Sequence, residues 1–162
     1  MYKRQTYNYV VKDATTITPV AGVYTFSNLP IYEGTLVNNK FTADTSNAEQ
    51  RFLIENDFAD TTTLKVTVQN SSSDSTTTTY TLATDLADIT STSKVYYLEG
   101  AEDNKYEVKF GDGVLGSALS TGNIVTLSYV ITNGSDSNGA SSFSLSGSLG
   151  GFSNVTITTA TN

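Results

Sequence analysis

The 162 residues contain no cysteine, histidine or tryptophan, two prolines and one methionine. Without cysteine there is no disulfide framework, no thiolate nucleophile and no cysteine-bound zinc or iron–sulfur cluster. Without histidine the usual general base at neutral pH, the Ser-His-Asp machinery and the commonest metal ligand are all absent. Charge is sparse and one-sided: sixteen acids against nine bases give a net charge of −7, a sign that repels phosphate backbones, so nucleic acid is not expected as a partner. Long hydrophobic runs are missing too. The uncharged stretches 113–135 and 137–162 are filled with Ser, Thr, Asn and Gly rather than the ~20 apolar residues of a membrane span. Lys3, Arg4, Asn8, Lys12 and Asp13 break up any secretory signal at the start.

What is abundant is threonine and serine, 27 and 19 residues, with ten tyrosines and seven phenylalanines. β-Branched and aromatic residues favour strands, and helical periodicity is weak throughout, so the expectation is an all-β chain. Leu64, Val66 and Val68 alternate with Lys65, Thr67 and Gln69. Tyr106, Val108 and Phe110 alternate with Lys105, Glu107 and Lys109, and Val125, Leu127, Tyr129 and Ile131 continue the pattern. Successive strand side chains point to opposite faces, so the first member of each set is expected in one shared core and the charged set in water.

Further strands are expected at 7–11, 22–26, 34–43, 50–54, 77–83, 94–99 and 154–159, and helical turns only at 45–50 and 84–90. Asn70 to Ser75 reads as an exposed hairpin loop. Seven strands between 34 and 132 match one immunoglobulin-like antiparallel β-sandwich with extra flanking strands. The expected organisation is an N-terminal flank over 1–30, a sandwich over 31–134, and a Ser/Gly-rich segment over 135–162 that begins a further β region. After Lys109 there is no base, and Asp112 and Asp136 are the only acids. Such a surface is either merely polar or one meant to be covered by another chain or by further sequence, since interface cores are depleted in charge.

Three features invite a chemical reading. Phe110-Gly111-Asp112-Gly113-Val114-Leu115-Gly116 is a tight-turn sequence; as an anion cradle it lacks a following lysine and helix. Asp112 with Glu99, Glu102 and Asp103 does not fall at calcium-loop spacing. Neighbouring acids over Glu99 to Asp103 make a solvated hairpin loop more readily than the separated carboxylate pair of a glycosidase. The three Asn-x-Ser/Thr sequons, at Asn70, Asn133 and Asn154, are what this composition yields by chance. No catalytic, cofactor-binding or metal residue is assigned, no cofactor or small-molecule substrate is expected, and the chain is read as a non-enzyme.

Several quoted runs occur in a particular order. They are Ile31-Tyr32-Glu33-Gly34-Thr35-Leu36-Val37, Gln50-Arg51-Phe52, Leu64 to Asn70, Lys105 to Gly116, Gly122 to Tyr129, Thr132-Asn133-Gly134 and Asn138-Gly139-Ala140. This ordered set resembles the middle region of a baseplate wedge subunit of contractile-tailed bacteriophages, similar to the baseplate J proteins. The most specific stretch is Tyr106-Glu107 followed by Phe110-Gly111-Asp112-Gly113 and Gly116. The resemblance implies a fragment of a longer protein; separately, Met1-Tyr2-Lys3-Arg4-Gln5 looks like a translated adapter leader. The resemblance also implies a structural role in the virion, in a tail baseplate assembled in the host cytoplasm, with other wedge proteins and copies of itself as partners. The alternative is a receptor- or carbohydrate-binding β-sandwich of a phage fibre or bacterial surface protein, since tyrosine pairs an apolar body with a polar handle.

Overall fold

The computed structural model describes residues 5–47, 49–149, 151–153 and 155–157. Two compact units divide the chain, Met1–Thr132 and Asn133–Asn162. Among the described residues the first holds nine strands: β1 (Tyr9–Val10), β2 (Tyr32–Glu33), β3 (Thr35–Thr42), β4 (Phe52–Ile54), β5 (Ala59–Gln69), β6 (Thr77–Leu82), β7 (Val95–Gly100), β8 (Tyr106–Phe110) and β9 (Ile124–Ile131). Strands β1 and β2 form a small antiparallel pair. The other seven hydrogen-bond in the order β3-β9-β5-β6-β7-β8-β4.

The chain is therefore all-β, as its composition implies. The sheet is a single, near-closed, barrel-like one rather than a clear division into two sheets. The reason lies in β6, which bonds β5 antiparallel on one side and β7 parallel on the other, through Thr81 opposite Val95 and Leu82 opposite Tyr96. Residues 83–94 carry the chain back so that β7 starts beside the end of β6, and the sheet is mixed instead of wholly antiparallel. Its two end strands approach each other where Phe41 of β3 meets Phe52 of β4 edge to face, with ring centroids 5.6 Å apart.

One core fills the interior: Ile54, Val66, Val68, Tyr80, Tyr96, Val108, Val125, Leu127 and Tyr129, with Leu64, Phe52 and Phe110 packed against it. The alternating residues of β5, β8 and β9 thus share a core. Tyr106 is the correction, being 37% exposed. Its ladder partner Ile54 is fully buried, so Tyr106 keeps the inward phase; it loses burial because it is the first residue of β8, at the rim. Glu107 is also not simply solvated, since Arg51 covers it.

Other expectations differ by position. Residues 22–26 form no strand; Val20 and Val23 instead close a tight turn. Among the described residues there is no α-helix, only short 3₁₀ turns at Glu102–Asn104 and Gly134–Ser137. At 45–50 and 84–90 side-chain oxygens capture the amides a helix needs: Asn47 takes that of Glu49 and Asp85 that of Ala87. Of the expected strand 154–159, residues 155–157 are not in a strand, and the remainder, with Asn154 of the third sequon, lies outside the described residues. So do residues 1–4 of the expected leader.

The Thr61-Thr62-Thr63 run builds an irregularity that periodicity does not show. The register of β5 on β9 shifts between Asp60 and Lys65, where extra residues bulge from the ladder. Thr63, 1% exposed, fills the gap with its hydroxyl, which accepts the Val130 N–H at 2.9 Å and donates to the Asp60 carbonyl at 2.7 Å. A side chain thereby replaces a missing ladder bond. Thr63→Val keeps the volume but orphans a buried amide, so denaturant melting is expected to show a loss of about 1–3 kcal/mol. A neutral result, with unchanged exchange of the Val130 amide, would mean that the hydroxyl is not what satisfies that amide.

Candidate functional site

A concavity lies at the seam where β3 and β4 approach. It is a shallow groove of about 600 Å³, with Phe52, Val108, Phe110 and Leu119 among its apolar lining and Asp44, Glu49, Arg51, Glu107 and Lys109 among its charged residues. The 43–50 connection is held across the seam by one side chain: Gln50 donates to the Thr42 carbonyl at 2.8 Å and accepts the Asp44 N–H at 2.8 Å. Thr45 is tied to Thr121, whose hydroxyl accepts its N–H at 3.0 Å.

Both cations of the groove are already paired. Arg51 meets Glu107 at 3.0 Å and Lys109 meets Glu99 at 2.6 Å. Glu99 and Glu107 face each other across the β7–β8 ladder, so these cations also offset a like-charge pair. Glu107 raises the Arg51 pKa and Glu99 raises that of Lys109, in each case through a hydrogen bond first and charge second. The Ser46 hydroxyl and amide hold the Asp44 carboxyl below its usual range. Arg51 and Lys109 are thereby held in their charged, protonated forms and Asp44 in its ionised form. Deeper inside, burial pushes the Tyr129 phenol up, while the Asn39 amide donates to its oxygen at 3.1 Å.

The Gly-Asp-Gly segment is a self-closed loop. Asp112 Oδ1 accepts the amides of Val114 and Leu115 at 2.8 and 3.0 Å, and Gly113 N–H donates to the Gly116 carbonyl at 3.0 Å. The amides that would cradle an anion are consumed by the chain's own aspartate. Gly111 is required by crowding, because a β-carbon there would sit 2.3 Å from the carbonyl carbon of Gly116. The loop is anchored to the 83–94 connection, where Gly116 N–H donates to Thr90 and Ser117 N–H to Ser93, and to β7, whose Tyr97 hydroxyl donates to the Leu115 carbonyl. Its tip is apolar, with Val114 71% exposed, and Leu86 on the adjoining connection is 60% exposed.

The acids weighed for calcium or for glycoside hydrolysis go separate ways. Glu99 pairs with Lys109, Asp112 closes its own loop, and Glu102 and Asp103 begin the 3₁₀ turn between β7 and β8. No group of three or more acidic side chains is placed to hold a metal ion among the described residues. Calcium titration is expected to show no site-specific binding; an affinity abolished by Asp112→Asn would contradict this. On the β4 side the groove residues were legible only as members of a run, Gln50-Arg51-Phe52, and on the β8 side only through the alternation of 105–110, because no local pattern announces that these two strands, more than 50 residues apart, meet.

The loop carboxylates make folding pH-dependent in a defined direction. Asp112 is lowered by the amides of Leu115 and Val114, and Asp74 falls from 3.8 to about 2, chiefly through the Asn70 side chain. A carboxyl with a depressed folded pKa stabilises the native state above its unfolded value and loses that effect as pH falls through the folded one. For Asp74 the window runs from about 4 to about 2. NMR titration of the Asp74 side chain and of the Thr76 amide, which donates to it, is expected to show this midpoint. A midpoint near the ordinary aspartate value would show that the loop bonds do not persist in solution.

Compared with protein-family models and with curated proteins, the chain matches none. No helix among the described residues is long and apolar enough to cross a membrane.

Proposed function

We propose that the chain is a structural module acting through protein–protein contact, a middle segment of a baseplate wedge subunit in a contractile phage tail. The observation that carries the reading is apolar side chains exposed on loops held rigid by hydrogen bonds. Val114 and Leu86 project from two connections locked together by backbone bonds, an arrangement suited to rigid docking without an ordering cost. The Gly-Asp-Gly segment at the heart of the family resemblance is the loop that presents Val114. In this reading the sheet is a modified immunoglobulin-like sandwich whose walls, β3-β9-β5 and β7-β8-β4, are joined by β6. Its partners are neighbouring wedge proteins and copies of itself, in the tail baseplate of a virion assembled in the host cytoplasm. Ring closure lets individually weak contacts hold.

The second unit fits a surface that neighbours cover. Its described residues form no strand, and Leu145, Leu149, Phe152 and Ile157 are all exposed. Amides across 136–149 are expected to exchange rapidly in the isolated chain while those of β8 and β9 exchange slowly. Co-expression with the tail proteins encoded beside it is expected to yield a complex in which that segment becomes protected. Strong protection in the dilute monomer would remove the covered-surface reading, and failure to co-assemble would remove the wedge assignment.

Tyr106 favours a second reading, glycan recognition, because a phenol at the sheet rim offers an apolar face and a hydroxyl. Glycan-array binding by the isolated chain that is lost in Tyr106→Ala would support it over the wedge.

A further inference from the structure

Residues Ser137 to Ala140 make a compact turn in the second unit. Asn138 has φ −60° and ψ 137°, and Gly139 has φ +86°. The Ala140 N–H donates to the Ser137 carbonyl at 3.2 Å. These are the angles and the closing bond of a type II turn, whose third position calls for glycine. Asn138 and Gly139 are both exposed, and nothing lies within 4 Å of the place a β-carbon would occupy on Gly139. The Gly139 N–H takes no part in closing the turn.

We propose that Asn138 is a site of spontaneous deamidation, the Gly139 backbone nitrogen attacking the Asn138 side-chain amide. In that step a bond forms between Gly139 N and Asn138 Cγ. The amide nitrogen leaves as ammonia, taking up the proton that Gly139 N gives to solvent, and a five-membered succinimide remains. Solvent water then opens the ring. Attack at Cγ gives aspartate, and attack at the backbone carbonyl gives isoaspartate. A β-carbon on the following residue would hinder the nitrogen's approach; glycine leaves it open.

Asn70 and Asn123, by contrast, have their side chains held. The Asn70 amide donates to Asp74 at 2.7 Å, and Asn123 both accepts from Ser120 and donates to the Asn70 carbonyl. Asn133-Gly134 is the same dipeptide, but Gly134 opens a 3₁₀ turn and both residues hold further interactions. Conversion at 138 adds a negative charge two residues from Asp136, in a stretch with no base after Lys109. Isoaspartate also inserts an extra backbone carbon into the turn, which breaks the Ala140–Ser137 closure.

The test is incubation of the full chain at mildly alkaline pH, followed by peptide mapping and isoaspartyl methyltransferase labelling. Residue 138 is expected to convert several-fold faster than 133, with isoaspartate as the main product. Gly139→Ala is expected to slow it roughly tenfold. Because alanine strains this backbone position, Asn138→Gln serves as the second variant: it keeps an amide in the turn but closes a six-membered ring, and is expected to stay intact. An amide retained at 138, or conversion at 133 as fast as at 138, would overturn the proposal.

Discussion

Phe110→Ala should destabilise the first unit by about 2–4 kcal/mol, the largest effect expected of any single truncation at the seam. Phe110 joins two neighbours edge to face, with centroids 5.4 Å from Phe52 and 5.4 Å from Tyr80. Phe52 in turn contacts Phe41, so four rings from β3, β4, β8 and β6 run across the place where the sheet comes nearest to closing. Phe110 is only partly buried, so the cost falls below that of a fully enclosed ring, but its loss also removes two oriented ring contacts. Phe110→Leu, which preserves most of the apolar volume, is expected to cost about 1 kcal/mol. Denaturant melting of the two variants separates packing from ring geometry. A loss below about 1 kcal/mol for the alanine variant would mean the ring line does not hold the seam.

Gly34→Ala should be at least as damaging, at about 3 kcal/mol or more, for a backbone reason. Gly34 links β2 to β3 with φ +124°, and a β-carbon built there would lie 2.0 Å from the Ile131 carbonyl oxygen. That oxygen belongs to the ladder, which begins with Thr35 opposite Ile131, so it cannot retreat without breaking the first pair of β3 and β9. Gly34 N–H also donates to Asn8 at 2.8 Å, fixing the N-terminal strand beside it. Gly113→Ala provides the comparison. It has φ +89° but nothing within 4 Å, so it isolates backbone strain at about 1 kcal/mol. Equal losses in the two variants would show that close approach is not what demands glycine at 34.

These two positions show how unevenly the molecule is legible. Phe110 was readable as a core residue from its alternation with Val108, because the pleat imposes period two wherever one face is dry. Gly34 reads from sequence only as a weak start to a strand; its need for a bare α-carbon comes from a carbonyl 97 residues later in the chain. Thr63 looks like one member of a threonine run and turns out to satisfy a buried amide of β9. Tyr106 has the correct phase and the wrong burial, since alternation carries no information about where a sheet ends. The Asp112 loop stands between these cases. Its turn follows from local chemistry, whereas its docking onto Thr90 and Ser93 does not.

The amino-acid sequence by itself determined the all-β class, the strand phases of β5, β8 and β9, the hairpin loop at 70–75, and the exclusion of histidine and cysteine chemistry. Each depends on residue type and on neighbours a few positions away, where the pleat and turn geometry act directly. Tertiary structure alone decided the strand order, the parallel β6–β7 pair that makes the single near-closed sheet a mixed one, the bulge filled by Thr63, and the seam groove with its Arg51–Glu107 and Lys109–Glu99 pairs. Those features depend on which edges meet, and edge pairing is chosen by packing between segments far apart in the chain, which no local pattern encodes.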